Sequence, residues 1–245
     1  MKCKFCFSFI FCVIFLGQLR SQQPGFAVVE LFTSEGCSTC PPADQLLSTI
    51  IHETEKDQRK IFALSFHVDY WNRAGWKDPF SKNQFTFRQE NYSRVLPDKE
   101  LYTPQIIVNG KTEGTGSDHA AAKKAIDEAL NAPAFLDATV HMDSTHADTL
   151  FVTYTSSKTD KNFVFRFALS ENDLSSQVTS GENKGKMLHH DSVVRIFFSL
   201  DIVEEKGQVK IPLKDFVPNA KCSLTGFVQH KQSMKILGAD RFEFK

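Results

Sequence analysis

The apolar residues of this chain change their period near residue 135, and few features constrain a fold more. Before that point, near-continuous apolar runs alternate with helix-spaced ones. Phe26 to Phe32 (FAVVELF) and Ile61 to Val68 (IFALSFHV) read as strands covered on both faces. Between them Leu46, Leu47, Ile50 and Ile51 mark one face of a helix. Asp78-Pro79 supplies an N-cap and a first-turn proline for a second helix reaching about Leu96. Gln105 to Val108 reads as a strand closed by an Asn109-Gly110 hairpin turn. Asp118 then caps a third helix, with Ala122, Ile126, Ala129 and Leu130 on its apolar face.

Beyond Phe135 every second residue is apolar, as in Leu150-x-Val152-x-Tyr154 and Phe163-x-Phe165-x-Phe167-x-Leu169. The pattern continues through Val193 to Leu200, Gln208 to Ile211, Ser223 to Gln229 and Ile236 to Phe244. Seven or so short strands without a clear helix argue a mostly antiparallel β-sandwich of roughly 110 residues. Residues 172 to 192 interrupt it with a long polar stretch that ends in His189-His190-Asp191. Adjacent histidines on a strand point to opposite faces, so that run reads as a polar cluster at a loop end. Its other reading is a metal or proton-transfer group, if the second half covers the active edge of the first.

The N-terminus stands apart from both halves. Lys2 and Lys4 precede an apolar run from Phe5 to Leu16, followed by Gln18, Arg20, Ser21 and Gln22. That is the order of a secretory signal peptide, and the run is short for a membrane span. The expected division is therefore a signal peptide over 1–21, an α/β domain over 22–132 and a β-sandwich domain over 133–245. The expected location is secreted or periplasmic, with no membrane span once the signal is removed. Lys+Arg and Asp+Glu are both 29, so no net charge draws the chain to nucleic acid. Removing the signal leaves Cys37, Cys40 and Cys222 of the six cysteines. Cys222 begins a strand and reads as a small buried thiol.

Cys37-Ser38-Thr39-Cys40 joins the first strand to the first helix. Pro41 and Pro42 fit there because first-turn N–H groups have no intrahelical partner. A helix start favours thiolate at Cys37, which is expected to be exposed and to titrate below the free-cysteine value of about 8.5. A structural zinc site needs about four ligands, usually two such pairs, and the second pair is missing. The pair is then a redox couple, an inert bridge, or part of a soft-metal site for an ion such as Cu(I) with His67. His67 opens a loop to Phe80 that holds Trp71 and Trp76. Those rings are either a wall of a substrate groove or the anchors of a packed corner. Thr103-Pro104 stands immediately before a strand, where proline is confined to a first residue or an edge.

The order of elements, with Cys37-x-x-Cys40 and Thr103-Pro104, resembles the thioredoxin fold: an α/β domain with a central mixed sheet flanked by helices. The stretches ELFTSEGCSTCPPAD, FHVDYWNRAGWKDPF and YTPQIIVNG more closely resemble an exported thioredoxin-like family called domain of unknown function 1223. The resemblance implies that Cys37 attacks and Cys40 resolves. It implies that Pro104 is cis against the pair and that the backbone of Thr103 positions substrate. It also makes Glu30 a candidate buried proton shuttle. The function implied is an exported thiol–disulfide oxidoreductase acting on protein thiols and disulfides with an unknown redox partner. No cofactor beyond the cysteine couple is expected. The alternatives are a copper-handling protein using Cys37, Cys40 and His67, and a non-catalytic binding module.

Overall fold

The computed structural model describes residues 24–213 and 216–244, so the signal segment expected over 1–21 lies outside the described residues. The first half runs β1 (Ala27–Thr33), α1 (Pro41–Asp57), β2 (Ile61–His67), α2 (Asn83–Ser93), β3 (Gln105–Val108), β4 (Thr112–Thr115) and α3 (His119–Asn131). A 3-10 turn, Tyr70–Ala74, lies between β2 and α2. Among the described residues the second half has strands as its only regular elements: β5 (Ala138–His146), β6 (Thr149–Ser156), β7 (Phe163–Glu171), β8 (Leu174–Gln177) and β9 (Met187–His190). It ends with β10 (Val193–Asp201), β11 (Lys206–Pro212), β12 (Cys222–His230) and β13 (Ile236–Glu243).

One eight-stranded mixed sheet, ordered β13-β12-β7-β10-β2-β1-β3-β4, runs through both halves. β1 lies parallel to β2 and antiparallel to β3. The junction between the halves is narrow: β10 meets β2 in parallel at Val193 opposite Ser65. Ser65 N donates to Ser192 O at 2.9 Å, and Ser192 Oγ donates to Ala63 O. The change of period at residue 135 thus marks a change in local architecture within a continuous sheet. β11, β6 and β5 form a second, antiparallel sheet, and β8 with β9 a two-stranded hairpin.

The two faces of β1 explain its unbroken apolar run. Ala27, Val29 and Leu31 pack with Leu46, Leu47, Ile50 and Ile51 of α1 and with Ile126 of α3. Val28 and Phe32 face the other way, into a core with Phe66, Phe85 and Tyr92 on the α2 side. Burial of each such phenylalanine is worth about 1.5–3 kcal/mol, the same order as the entropy cost of ordering one residue. Leu150, Val152 and Tyr154 of β6 form a third core with Phe165 and Phe167 of β7 and Leu224 and Val228 of β12. Along β6, buried and part-exposed residues alternate strictly, as the period of two requires.

Candidate functional site

The cysteine pair sits where the sheet hands the chain to α1. Cys40 is the N-cap residue of that helix, and Pro41 and Pro42 open its first turn. Ala43 N and Asp44 N both donate to Cys40 O, at 2.9 and 3.1 Å, closing the turn from inside. Cys37 and Cys40 are joined in a disulfide with their Cα atoms 5.4 Å apart. The Thr39 hydroxyl lies 3.4 Å from Cys37 Sγ. Because β3 neighbours β1, the residues entering β3 reach the same end of the sheet. The Thr103–Pro104 peptide is cis, and Thr103 O lies 3.8 Å from Cys37 Sγ.

The loop after β2 completes this arrangement. Trp71 Nε1 donates to Thr103 Oγ1 at 2.7 Å, and a side chain on Gly36 would meet Trp71 Cβ at 3.1 Å. Trp76 Nε1 donates to Glu35 Oε2 at 2.7 Å. Both tryptophans therefore brace the segment that carries the disulfide. Each ring uses its one polar atom, as half-buried indoles do.

The disulfide is not open to solvent, which corrects the expectation of an exposed Cys37. Cys37 and Cys40 are both 0% exposed, while Ser38 and Thr39 between them are exposed. The turn between β8 and β9, in the far half of the chain, is fastened to the cysteine loop. Asn183 Nδ2 donates to Glu35 O at 2.8 Å and to Cys37 O at 2.9 Å. Glu182 accepts from Ser38 N at 3.1 Å, two residues ahead of the N-cap Cys40.

Beneath the disulfide lies a buried group of ionisable side chains: Glu35, Asp44, His67, Asp78 and His190. Glu35 is its hub. It accepts from Trp76 and Ser176 on one oxygen and faces His190 Nε2 at 3.2 Å with the other. His190 Nδ1 stands 3.6 Å from Asp44 Oδ2. His67 Nδ1 pairs with Asp78 Oδ2 at 2.7 Å, the oxygen that also accepts Glu35 N. The two imidazoles meet edge to face with centroids 4.8 Å apart. Burial pushes the Asp44 carboxyl up to about 7 despite the pull of His190 and Thr33. Burial works the same way on Asp78, but His67 and two backbone donors outweigh it and hold that carboxyl below its ordinary value.

Two residues named from the sequence are placed differently from their expected roles. Glu30 is buried on the α2 side of β1, with Arg88 Nε 2.6 Å from Oε1 and the Tyr92 hydroxyl on Oε2. Its two oxygens are engaged there rather than left free for a cysteine proton. His67 is committed to Asp78. Among the described residues no group of three or more His, Cys, Asp or Glu side chains is placed to hold a metal ion. Cys222 is a buried free thiol, and its burial pushes its pKa up.

Sequence reasoning missed Glu35, Asp44 and Asn183, and it read Asp78 as a helix N-cap, whereas α2 starts at Asn83 with Lys82 as its N-cap. Asp44 carried a signal: it follows Cys40 by four residues, so the two share a helix face. His190 was legible in part, since β9 does turn His189 outward and His190 inward. Asn183 had no signal, because nothing local ties the long polar stretch to a loop 146 residues earlier.

A mixed sheet with a disulfide at a helix start, facing a cis-proline loop and tied to a hairpin in the far half of the chain, defines the class of protein at hand. The family described as "Protein of unknown function (DUF1223)" matches residues 28–229, and the chain belongs to it. The fold is similar to the crystal structure of protein AGR_C_4864 from Agrobacterium tumefaciens. The likeness has 24% identity and a TM-score of 0.65 over 92% of this chain and 97% of that one. No curated protein matches the sequence.

Proposed function

We propose that this protein is an exported thiol–disulfide oxidoreductase built on a thioredoxin-like unit followed by a β-sandwich, with Cys37 and Cys40 as its redox couple. One observation carries the reading: the couple is a disulfide at the start of α1, with Thr103 O set 3.8 Å from Cys37 Sγ. A thiolate of a protein partner attacks Cys37 Sγ, the Cys37–Cys40 bond breaks, and Cys40 leaves as a thiolate that takes up a proton. A second thiolate of the partner then attacks its own sulfur in the mixed disulfide. The partner departs oxidised and the protein holds two thiols, so two electrons have passed; the reverse sequence oxidises the protein.

Each neighbour has a definable part. The helix N-terminus and the Thr39 hydroxyl favour negative charge on Cys37 sulfur as it forms. Thr103 and Pro104 position the partner's chain beside it, and Trp71 holds Thr103 in place. The polar order of the leader over 1–21 supports secretion or delivery to a periplasm, where such a couple meets exported thiols and disulfides.

The test is turnover on a protein disulfide. The purified protein is expected to accelerate reduction of insulin by a dithiol, and Cys37→Ser to abolish the acceleration. A Cys40→Ala variant is expected to accumulate mixed disulfides with its partners, identifiable by mass spectrometry. Absence of turnover in the wild type, or turnover that survives Cys37→Ser, overturns the reading.

A further inference from the structure

We propose that the β8–β9 hairpin is a cap over the redox centre, and that residues 178–186 must lift before Cys37 can react. The proposal deepens the oxidoreductase reading and rests on it for its biological meaning. Its physical basis is separate: a sulfur that must be attacked in line by another sulfur stands at 0% exposure.

The tip is fastened by a few polar contacts. Asn183 is itself fully buried, and its amide is turned the right way round by Lys186 Nζ, which donates to Asn183 Oδ1 at 2.9 Å. That leaves both Nδ2 hydrogens for the carbonyls of Glu35 and Cys37. Ser180 Oγ donates to Gly75 O at 2.6 Å. Gly181 allows the approach: its φ is +73°, and a side chain there would meet Trp76 Cβ at 3.1 Å and Ala74 O at 3.2 Å. At the root, Ser176 and His190 hold the hairpin to Glu35, two residues before Cys37.

The same contacts show why the tip can move alone. Between 178 and 186 only Val178 and Asn183 are buried, while Glu182, Lys184, Gly185 and Lys186 are exposed. Lifting it therefore uncovers little apolar surface and breaks bonds that water replaces. His190 and Leu188 at the root stay buried, so the hinge falls between the root strands and the tip. Once the tip is raised, Glu35 O is free and Cys37 O keeps only the Cys40 N donor, so both can accept from the backbone N–H groups of an incoming partner chain. Asn183 thus occupies the position a partner takes and sets the cost of entry.

The experiment is reduction of the intact protein by dithiothreitol over a wide concentration range, followed by alkylation and mass. Asn183→Ala is expected to raise the second-order rate by about tenfold, the equivalent of one to two net hydrogen bonds. Glu182→Gln, on an exposed side chain that leaves the fold intact, is expected to raise it several-fold and decides the matter if Asn183→Ala does not fold. Urea midpoints separate local from global opening. Rates equal to wild type in both variants overturn the cap, as does a rise fully accounted for by lost global stability. A cap so demonstrated in a protein that fails to turn over insulin leaves the gating standing and removes the oxidoreductase reading.

Discussion

Two buried polar groups hold the halves of this molecule together, and they are built to different standards. On the α2 side, Glu30, Arg88, Tyr92 and Gln229 form a closed set. Arg88 donates to Glu30, Tyr92 and Gln229, and the Gln229 amide donates to Tyr92 and to Met234 O. The Phe197 and Phe227 rings lie 4.7 and 5.5 Å from the guanidinium carbon. Burial alone would lower the Arg88 pKa, but Glu30 and Tyr92 raise it, so the cation is secure. Beneath the disulfide, by contrast, His67 Nε2 is buried without a hydrogen-bond partner and His190 Nδ1 reaches Asp44 Oδ2 only at 3.6 Å. A saturated network fixes one geometry, whereas an unsaturated one keeps acceptors and donors in reserve. The first clamps β12 to the α/β half; the second lies under the root of the hairpin, where His190 meets Glu35 and Asp44.

The contrast is broken most forcefully at Arg88. Arg88→Ala strands a buried carboxylate and is expected to cost about 3–5 kcal/mol, read as a fall in the urea midpoint. If the variant loses less than about 1 kcal/mol, the set is not a clamp at all. Asp44→Asn tests the second group with the opposite sign. A carboxyl raised to about 7 from 3.8 binds more protons in the folded state, so its contribution is complete below pH 3.8 and is lost as pH rises through about 7. The wild type is therefore expected to weaken across that window, on the order of a few kcal/mol, and Asp44→Asn to flatten the decline. Asp78 slopes the other way: its contribution is present above the ordinary carboxylate value and is lost as pH falls through its lowered one. Trp76→Phe sharpens the comparison least, removing one donor to Glu35 for about 1 kcal/mol while keeping the ring. Its diagnostic is faster reduction of the disulfide, since the brace on Glu35 is shared with the hairpin.

The local elements were plain in the sequence because their causes are local. The β1 run, the prolines after Cys40, the Asp118 cap and the alternation in β6 all act over a few residues. The union of both halves in one sheet was hidden, because it depends on the single Val193–Ser65 register between distant strands. Glu30 misled for a related reason. An acid in an apolar strand announces burial, but its partner is decided by which face it occupies, and Arg88 on α2 shares that face. The cap was hidden most deeply: Asn183 looks like any loop asparagine until its two carbonyl acceptors are located.

The Val193–Ser65 junction also makes β2 an interior strand rather than a border. A fragment stopping near residue 132 would leave Ser65 N and Ala63 O of β2 without their Ser192 partners and expose that edge of the sheet to other chains. The β-rich half thus supplies the strand that β2 meets in the finished sheet.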